Sequence, residues 1–156
     1  MDMTVSWEVD TTSADDTEKV AERIGHNLKG GETIELVGDL GGGKTTFVRG
    51  LARGLGSSDQ VSSPTFKISN EYHGRNLVLN HFDLYRLGEA GIISNELAEI
   101  IDDQQAVLVI EWADAVKNIL PVKRLVINFV PKSENVRQLK ITYPETLNYV
   151  LKEVQK

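Results

Sequence analysis

The sequence contains no cysteine and no long apolar run. Without cysteine the chain forms neither a disulfide framework nor a thiolate metal site, which fits a reducing cytoplasm. A membrane-spanning helix needs roughly 20 consecutive apolar residues, and no window of this chain approaches that length. The N-terminus, Met1-Asp2-Met3-Thr4, lacks the basic and apolar segments of a secretory signal. We therefore expect a cytoplasmic protein with no membrane partner.

Positive charge is also scarce, since 23 Asp and Glu residues outnumber 17 Lys and Arg residues and leave a net charge of −6. Neutralising the phosphates of a nucleic acid needs a surplus of Lys and Arg, so this balance disfavours tight binding of bare RNA or DNA. If RNA is involved, a partner protein holds it. The chain has 156 residues, of which 40% are hydrophobic and 26% charged, as is typical of a soluble globular protein. This length predicts a single domain over residues 1–156.

A glycine-rich loop at residues 38–45, G-D-L-G-G-G-K-T, matches the phosphate-binding pattern G-x-x-x-x-G-K-[ST]. An apolar run at 33–37 predicts a buried strand before the loop, and apolar residues at helical spacing predict a helix over 45–55 after it. Backbone N–H groups and the helix dipole would bind phosphate, Lys44 would contact the outer phosphates, and Thr45 would be a magnesium ligand. The loop residues predicted to bind a nucleotide are Gly38, Leu40, Gly41, Gly42, Gly43, Lys44 and Thr45.

Apolar periodicity predicts the other elements. Alternating patterns predict strands at 5–9, 125–129 and 139–143, and an antiparallel hairpin of 66–72 with 77–83. The most apolar run, 106–110, predicts a central strand that ends at Glu111. Further helices are predicted after a capping box at Ser13 and Asp16, at 96–101, and at the C-terminus through Leu147, Val150, Leu151 and Val154. The fold class is therefore α/β, a three-layer P-loop NTPase-like domain with a mixed central sheet (parallel core plus antiparallel hairpin) and flanking helices.

Two acids are predicted to lie beside the phosphate loop. Ligands of open α/β sheets bind beyond the carboxyl ends of the strands, where Glu111 would hold magnesium. Asp83 ends another strand and would hold a metal-bound water, orient the attacking water or act as a base. His81 shares the strand face of Asp83, although a single histidine in a strand is more often a hydrogen-bonded structural residue. The hydroxyls of residues 62–65 either sense the outer phosphate, as in a switch segment, or belong to an ordinary turn.

The absence of two motifs limits which nucleotide and which metal ion we expect the chain to bind. No Asn-Lys-x-Asp follows the loop, so the usual reader of guanine is absent and ATP is the expected nucleotide. The sequence has no cluster of Cys and His residues of the kind that binds zinc. The expected cofactors are ATP and Mg²⁺.

Four ordered motifs resemble those of the bacterial TsaE (YjeE-type) ATPases. The first is residues 38–47. The second lies within residues 61–72 and consists of Val61, Ser63-Pro64-Thr65-Phe66 and Tyr72. The third is residues 81–87, and the fourth is Glu111-Trp112. Such a set is far more specific than the phosphate loop alone. Two departures are visible, Gly42 where the family usually has Ala and Ala113 where it usually has Pro. Neither departure removes a reactive group.

The resemblance implies a cytoplasmic ATPase required for the threonylcarbamoyladenosine modification of tRNAs that read codons beginning with A. It implies action with the TsaD and TsaB proteins, slow turnover without them, contact with tRNA only through that complex, and no role for DNA. By motif match, Lys44 would bind phosphates, Thr45 and Glu111 would hold magnesium, and Asp83 would be needed for hydrolysis. The other implied site residues are Thr46 at the phosphates, Thr65 and Ser63 in a mobile segment, Trp112 beside the nucleotide, and Ala14, Thr17 and Arg137 as nucleotide contacts outside the motifs.

Two other function classes stay open from the sequence alone. In a small nucleoside or metabolite kinase, Asp83 would deprotonate an acceptor hydroxyl, and arginines would form a lid over the phosphates. The arginines of this chain are scattered and none cluster in a lid-like run. In a nucleotide-gated binding module, the same loop would bind ATP without turnover. Phosphate release measured with and without partner proteins and acceptors would separate the three classes.

Overall fold

The computed structural model describes residues 2–39, 43–64, 68–85 and 91–154. Its strands are β1 Thr4–Thr11, β2 Thr33–Val37, β3 Ser69–His73, β4 Val78–Asp83, β5 Ala106–Glu111, β6 Leu125–Pro131 and β7 Arg137–Pro144. They form one sheet in the order β1-β7-β6-β2-β5-β4-β3. All strands of the described residues therefore join one sheet, and the single domain over 1–156 stays a prediction.

The centre of the sheet is parallel and both edges are antiparallel. β2 pairs in parallel with β5 and β6, and β4 pairs in parallel with β5. β3 is antiparallel to β4, while β7 is antiparallel to both β6 and β1. The predicted mixed sheet with a parallel core and a hairpin is confirmed, as is the central position of β5. Every residue of β5 is buried, as expected for a strand covered on both faces.

Helices cover both faces of the sheet. Helices α1 (Ala14–Asn27) and α2 (Lys44–Gly54) pack on one face, where their apolar residues join Val107 and Val109 of β5 in one core cluster. Helix α3 (Gly91–Ile101) and a short 3₁₀ helix (Ala113–Val116) cover the other face, where Leu108 and Ile110 pack. Because side chains alternate along a strand, β5 supplies both clusters. The predicted three-layer α/β architecture is confirmed.

The two helices beside the phosphate loop are in backbone contact. A Cβ atom on Gly50 would lie 2.3 Å from the carbonyl oxygen of Glu18, and one on Gly54 would lie 2.2 Å from that of Glu22. Glycine is therefore required at both positions by the close approach of α1. Helix α1 begins as predicted, since Ser13 Oγ accepts from the N–H of Asp16 at 3.0 Å. These contacts fix the start of α1 next to the start of α2.

The C-terminal helix differs from its prediction. It is a 3₁₀ helix, Glu145–Leu151, and Val154 lies beyond its end. The Asn27 side-chain amide donates to the carbonyl oxygens of Val150 and Lys152, at 3.0 and 2.7 Å, and so ties the end of this segment to α1. The prediction that its apolar face packs is confirmed, because Val150, Leu151 and Val154 are buried in the cluster with α1 and α2.

Two other boundaries differ from the predictions by three residues or more. The strand predicted from residue 66 begins at Ser69, with residues 65–67 outside the described part, and helix α3 begins at Gly91 rather than at 96. No helix in the described residues has the length and apolar character needed to cross a bilayer.

Glu32 joins the start of β2 to the C-terminal segment. Its carboxylate is buried and accepts from the backbone N–H groups of Lys29 and Gly30, both at 2.8 Å, and from the Tyr149 hydroxyl at 2.6 Å. Burial, reinforced by the nearby Glu32 carboxylate, raises the pKa of Tyr149 well above its usual range, so this hydroxyl keeps its proton and donates.

We expect Glu32→Ala to lower the free energy of unfolding by about 3 kcal/mol, because it removes three hydrogen bonds to a charged acceptor and leaves their donors part-buried. Urea unfolding followed by circular dichroism measures the change. The control is Glu99→Ala on the exposed face of α3, which should change stability by less than about 0.5 kcal/mol. Equal effects of the two substitutions would contradict this role of Glu32.

Candidate nucleotide-binding site

Lys44 is buried at the start of α2 although it carries a charge. Its side chain is 5% exposed, and Nζ donates to the carbonyl oxygen of Gly38 at 2.7 Å and lies 3.6 Å from Glu111 Oε1. Gly43 precedes the helix in a left-handed conformation, with φ 99°, and supplies no side-chain cap. The first N–H groups of α2 are therefore left for another acceptor, and an anion at this end would satisfy them.

Glu111 connects Lys44 to a second strand. Its Oε1 faces Lys44, and its Oε2 lies 2.5 Å from Nε2 of His81, whose side chain is fully buried. Strands β4 and β5 are parallel neighbours, with Asp83 opposite Glu111 and His81 opposite Val109. All four residues share the face of the sheet that α2 covers, because side chains alternate along each strand. The parallel register thus brings both predicted acids to one end of the sheet, beside the lysine.

Asp83 lies at the carboxyl end of β4 and is partly exposed. Burial of the carboxyl raises its pKa, and the negative charge of Glu111 raises it further, against the opposing effects of the Tyr85 N–H, His81 and Lys44. Its Oδ1 accepts from the Tyr85 backbone N–H at 3.0 Å. A carboxylate with a raised pKa is a stronger base than an ordinary aspartate, which favours a role in activating or orienting water.

Trp112 adopts an uncommon backbone conformation directly after Glu111. Its φ and ψ are 56° and 53°, a left-handed conformation that is unfavourable for a bulky residue. Lys44 Nζ lies 4.6 Å from the Trp112 ring centroid. The ring centroids of Tyr85 and Trp112 are 4.9 Å apart, and the two ring planes are tilted relative to each other. Backbone strain of this kind is typical of functional sites. Trp112 therefore forms one wall beside Lys44.

A cavity of about 210 Å³ lies at the start of α1 and α2. Three separate segments line it: the start of α1, the start of α2, and the turn between β6 and β7. The Arg137 guanidinium donates to the carbonyl oxygens of Ser133 and Glu134, at 3.0 and 3.2 Å, and is thereby fixed in that wall. The lining residues are Ser13, Ala14, Thr17, Gly43, Thr46, Glu134, Asn135 and Arg137.

The structure gathers the predicted site residues into two adjacent groups. Lys44, Glu111, Asp83 and Trp112 lie at the carboxyl ends of β4 and β5, while Ala14, Thr17, Gly43, Thr46 and Arg137 line the cavity. Gly38 contacts Lys44 through its carbonyl oxygen, and Thr45 is the second residue of α2. The predictions for Leu40, Gly41, Gly42 and Thr65 fall outside the described residues. The ligand roles of all these residues stay predictions.

Some residues of the site were not predicted from the sequence. Ser13 was interpreted only as a helix cap, Glu134 and Asn135 lie between two predicted strands and were given no role, and His81 was given a structural role in preference to a functional one. The signals available were the polar turn before Arg137 and the two-residue spacing of His81 and Asp83. Ser62 is held through its backbone, which accepts from the Tyr72 hydroxyl at 2.9 Å.

Comparisons with known proteins agree with this geometry. The family model described as "Threonylcarbamoyl adenosine biosynthesis protein TsaE" matches residues 11–139. The tRNA threonylcarbamoyladenosine biosynthesis protein TsaE of Bacillus subtilis is 36% identical over 85% of this chain and 82% of its own length, and that of Treponema pallidum is 36% identical over 83% and 95%. The crystal structure of Bacillus subtilis YdiB superposes with a TM-score of 0.76 at 28% identity, covering 99% of this chain and 95% of that chain. The chain belongs to the TsaE family.

Proposed function

We propose that this protein is a magnesium-dependent ATP hydrolase of the cytoplasm that serves tRNA threonylcarbamoyladenosine biosynthesis together with TsaB and TsaD. Membership in the TsaE family supports the role in threonylcarbamoyladenosine biosynthesis. The hydrolase activity is argued from the site. Contact with tRNA is proposed to be indirect, through the complex, because the chain carries a net charge of −6.

The observation that carries the proposal is the convergence of Lys44, Glu111 and Asp83 at one end of the parallel sheet. Lys44 supplies a cation for the outer phosphates at the start of a helix without a side-chain cap. Asp83 supplies a carboxylate of raised pKa at the exposed side of the same site. Phosphoryl transfer to water needs little more than positioning and electrostatic stabilisation, which these groups provide.

The donor set suits Mg²⁺ that arrives with a nucleotide. Magnesium is usually held through one or two carboxylates, with substrate phosphates and waters completing the shell. Glu111 Oε1 faces the site, and the Thr45 hydroxyl is the second predicted ligand. Among the described residues, no group of three or more His, Cys, Asp or Glu side chains is placed to hold a metal ion. When bound, the ion would neutralise charge on the outer phosphates.

The cavity beside the loop is the proposed site for the nucleoside part of ATP. It borders Gly43 and Thr46, which adjoin the phosphate loop, and it extends to α1 and to Arg137. Lys44 directly follows Gly43, and its Nζ lies 4.6 Å from the Trp112 ring centroid. A nucleotide with its phosphates at the start of α2 would therefore place its nucleoside in this cavity.

Phosphate release from ATP tests the function directly. Release that requires Mg²⁺ and proceeds without an acceptor supports hydrolysis. Formation of ADP that appears only with added nucleosides or metabolites, without release of phosphate, would support the kinase alternative instead. ATP binding without release, even with TsaB and TsaD present, would support a nucleotide-gated binding module.

Glu111→Ala should abolish the magnesium dependence of ATP binding while leaving metal-free nucleotide binding within about threefold of wild type, because its proposed contact is to the ion. Calorimetric titration with ATP, in Mg²⁺ and in EDTA, measures both. The matched control is Glu35→Ala, which removes another buried glutamate, one that is bonded to Arg124 at 3.0 Å. Equal losses with and without Mg²⁺ for Glu111→Ala would indicate a structural acid.

A further inference from the structure

His81 is a fully buried polar residue on the parallel core of the sheet. Leu79 and Phe82 of the same strand are apolar and buried, as a strand in the core requires, and Asn80 directly before His81 is the other buried polar residue of β4. The ring uses one nitrogen, since Nε2 contacts Glu111 Oε2, whereas the buried Nδ1 has no hydrogen-bond partner among the described residues. Burying an unsatisfied polar atom is unfavourable, so packing alone does not account for histidine at this position.

The contact between His81 and Glu111 is diagonal across two strands. Asp83 is the residue directly opposite Glu111, and His81 lies two positions earlier on β4. Because neighbouring strands lie about 4.8 Å apart and two residues span about 6.6 Å along a strand, only a long side chain bridges this diagonal. Glutamate reaches His81 from position 111, whereas aspartate, one methylene shorter, would fall short. The same contact leaves Oε1 on the side of Lys44.

We propose that His81 is a positioning residue that donates to Oε2 of Glu111 and so presents Oε1 to the Mg²⁺ that accompanies the nucleotide. The inference rests on the proposed function, because it requires that Mg²⁺ binds at Glu111 together with the nucleotide. It also explains why the last residue of β5 is glutamate rather than aspartate. Substitution of a residue that orients a metal ligand in this way typically lowers the affinity for the metal about 10- to 100-fold.

The test measures how ATP binding depends on Mg²⁺ concentration, by calorimetric titration of ATP at a series of Mg²⁺ concentrations and in EDTA. For His81→Leu we expect the half-saturating Mg²⁺ concentration to rise about 10- to 100-fold, with ATP affinity in EDTA within about twofold of wild type. His81→Gln keeps an N–H donor near the position of Nε2 and should stay within about threefold of wild type. A histidine that only filled space would give no such rescue.

Two further variants separate positioning from packing. Asn80→Leu replaces the adjacent buried polar residue on the opposite face of β4 and should leave the Mg²⁺ dependence unchanged. Glu111→Asp should reproduce the shift of His81→Leu, and the double variant should show no further shift, because both substitutions break the same contact.

The outcomes distinguish this inference from the function on which it rests. If wild-type protein binds ATP with clear Mg²⁺ dependence and His81→Leu keeps that dependence, the positioning role is overturned and the function stands. If wild type shows no Mg²⁺ dependence, the proposed function fails and the inference falls with it. Should His81→Leu not fold, Glu111→Asp decides, because an unchanged Mg²⁺ dependence in that variant overturns the inference.

Discussion

Lys44→Ala is expected to lower the rate of ATP hydrolysis by at least about 100-fold and to weaken binding of ATP with Mg²⁺ by about 10- to 100-fold. Nζ is buried between Gly38 and Glu111 at the start of α2 and is the cation that the described residues place there. When phosphate is bound, this ammonium would exchange those contacts for charge-assisted hydrogen bonds to the outer phosphates. The rate loss exceeds the binding loss because negative charge on the transferred group is redistributed in the transition state.

The measurements are calorimetric titration with ATP and Mg²⁺ and a phosphate-release assay. Lys140→Ala is the matched control, since this half-exposed lysine of β7 pairs with Glu8 and removing it deletes the same charge away from the site. Thermal unfolding checks that the Lys44 variant folds, which we expect because Glu111 keeps its contact with His81. Unchanged affinity and turnover in Lys44→Ala would contradict the assignment of the loop.

Local signals in the sequence predicted the elements around the site. The apolar run of β2, the loop and α2 follow one another along the chain, so each could be inferred from its neighbours. The strand β5 was predicted as central because an uninterrupted apolar run indicates burial on both faces. Ser13 and Asp16 predicted the start of α1, because a helix cap is a contact over three residues. Such features depend on short-range chemistry, which a single sequence contains.

The contacts that complete the site are not local. His81 and Glu111 are 30 residues apart and meet only because β4 pairs with β5, and the sequence does not specify that pairing. The cavity combines residues near 14, 46 and 137, which converge through strand order and the position of the β6–β7 turn. The resemblance to the TsaE family, rather than periodicity, indicated Ala14, Thr17 and Arg137. The C-terminal 3₁₀ helix is likewise contacted by Asn27, more than 100 residues earlier, whose amide donates to the Val150 carbonyl oxygen.

Three arginines of the described residues are held by contacts away from Glu111 and Asp83. Arg53 is paired with Glu18 and Glu22, Arg124 is bonded to Glu35, and Arg137 donates to carbonyl oxygens of the β6–β7 turn. None of these three arginines contacts Glu111 or Asp83 in the described residues. An arginine that stabilises the transferred phosphoryl group is worth about 10³–10⁵ in rate. Turnover of the isolated protein should therefore be slow.

The surroundings of Asp83 suit completion by a partner. Tyr85 is 49% exposed and Ile68 is 38% exposed, and both adjoin Asp83, which donates its N–H to the Ile68 carbonyl oxygen and accepts from the Tyr85 N–H. Exposed apolar side chains at the mouth of a site offer a contact surface for another protein. A protein that docks there would exclude water from the site.

Adding TsaB and TsaD is therefore expected to stimulate ATP hydrolysis strongly, by about 10³-fold if the partner supplies an arginine. Asp83→Ala should remove the stimulated rate while keeping ATP affinity within about threefold, because Asp83 is proposed to act on the attacking water rather than on the bound phosphates. Asp114→Ala, on an exposed residue paired with Lys117, is the control and should retain stimulation. Rates of about 10 s⁻¹ for the isolated chain, unchanged by the partners, would rule out a site that needs them, because such rates are typical of autonomous enzymes.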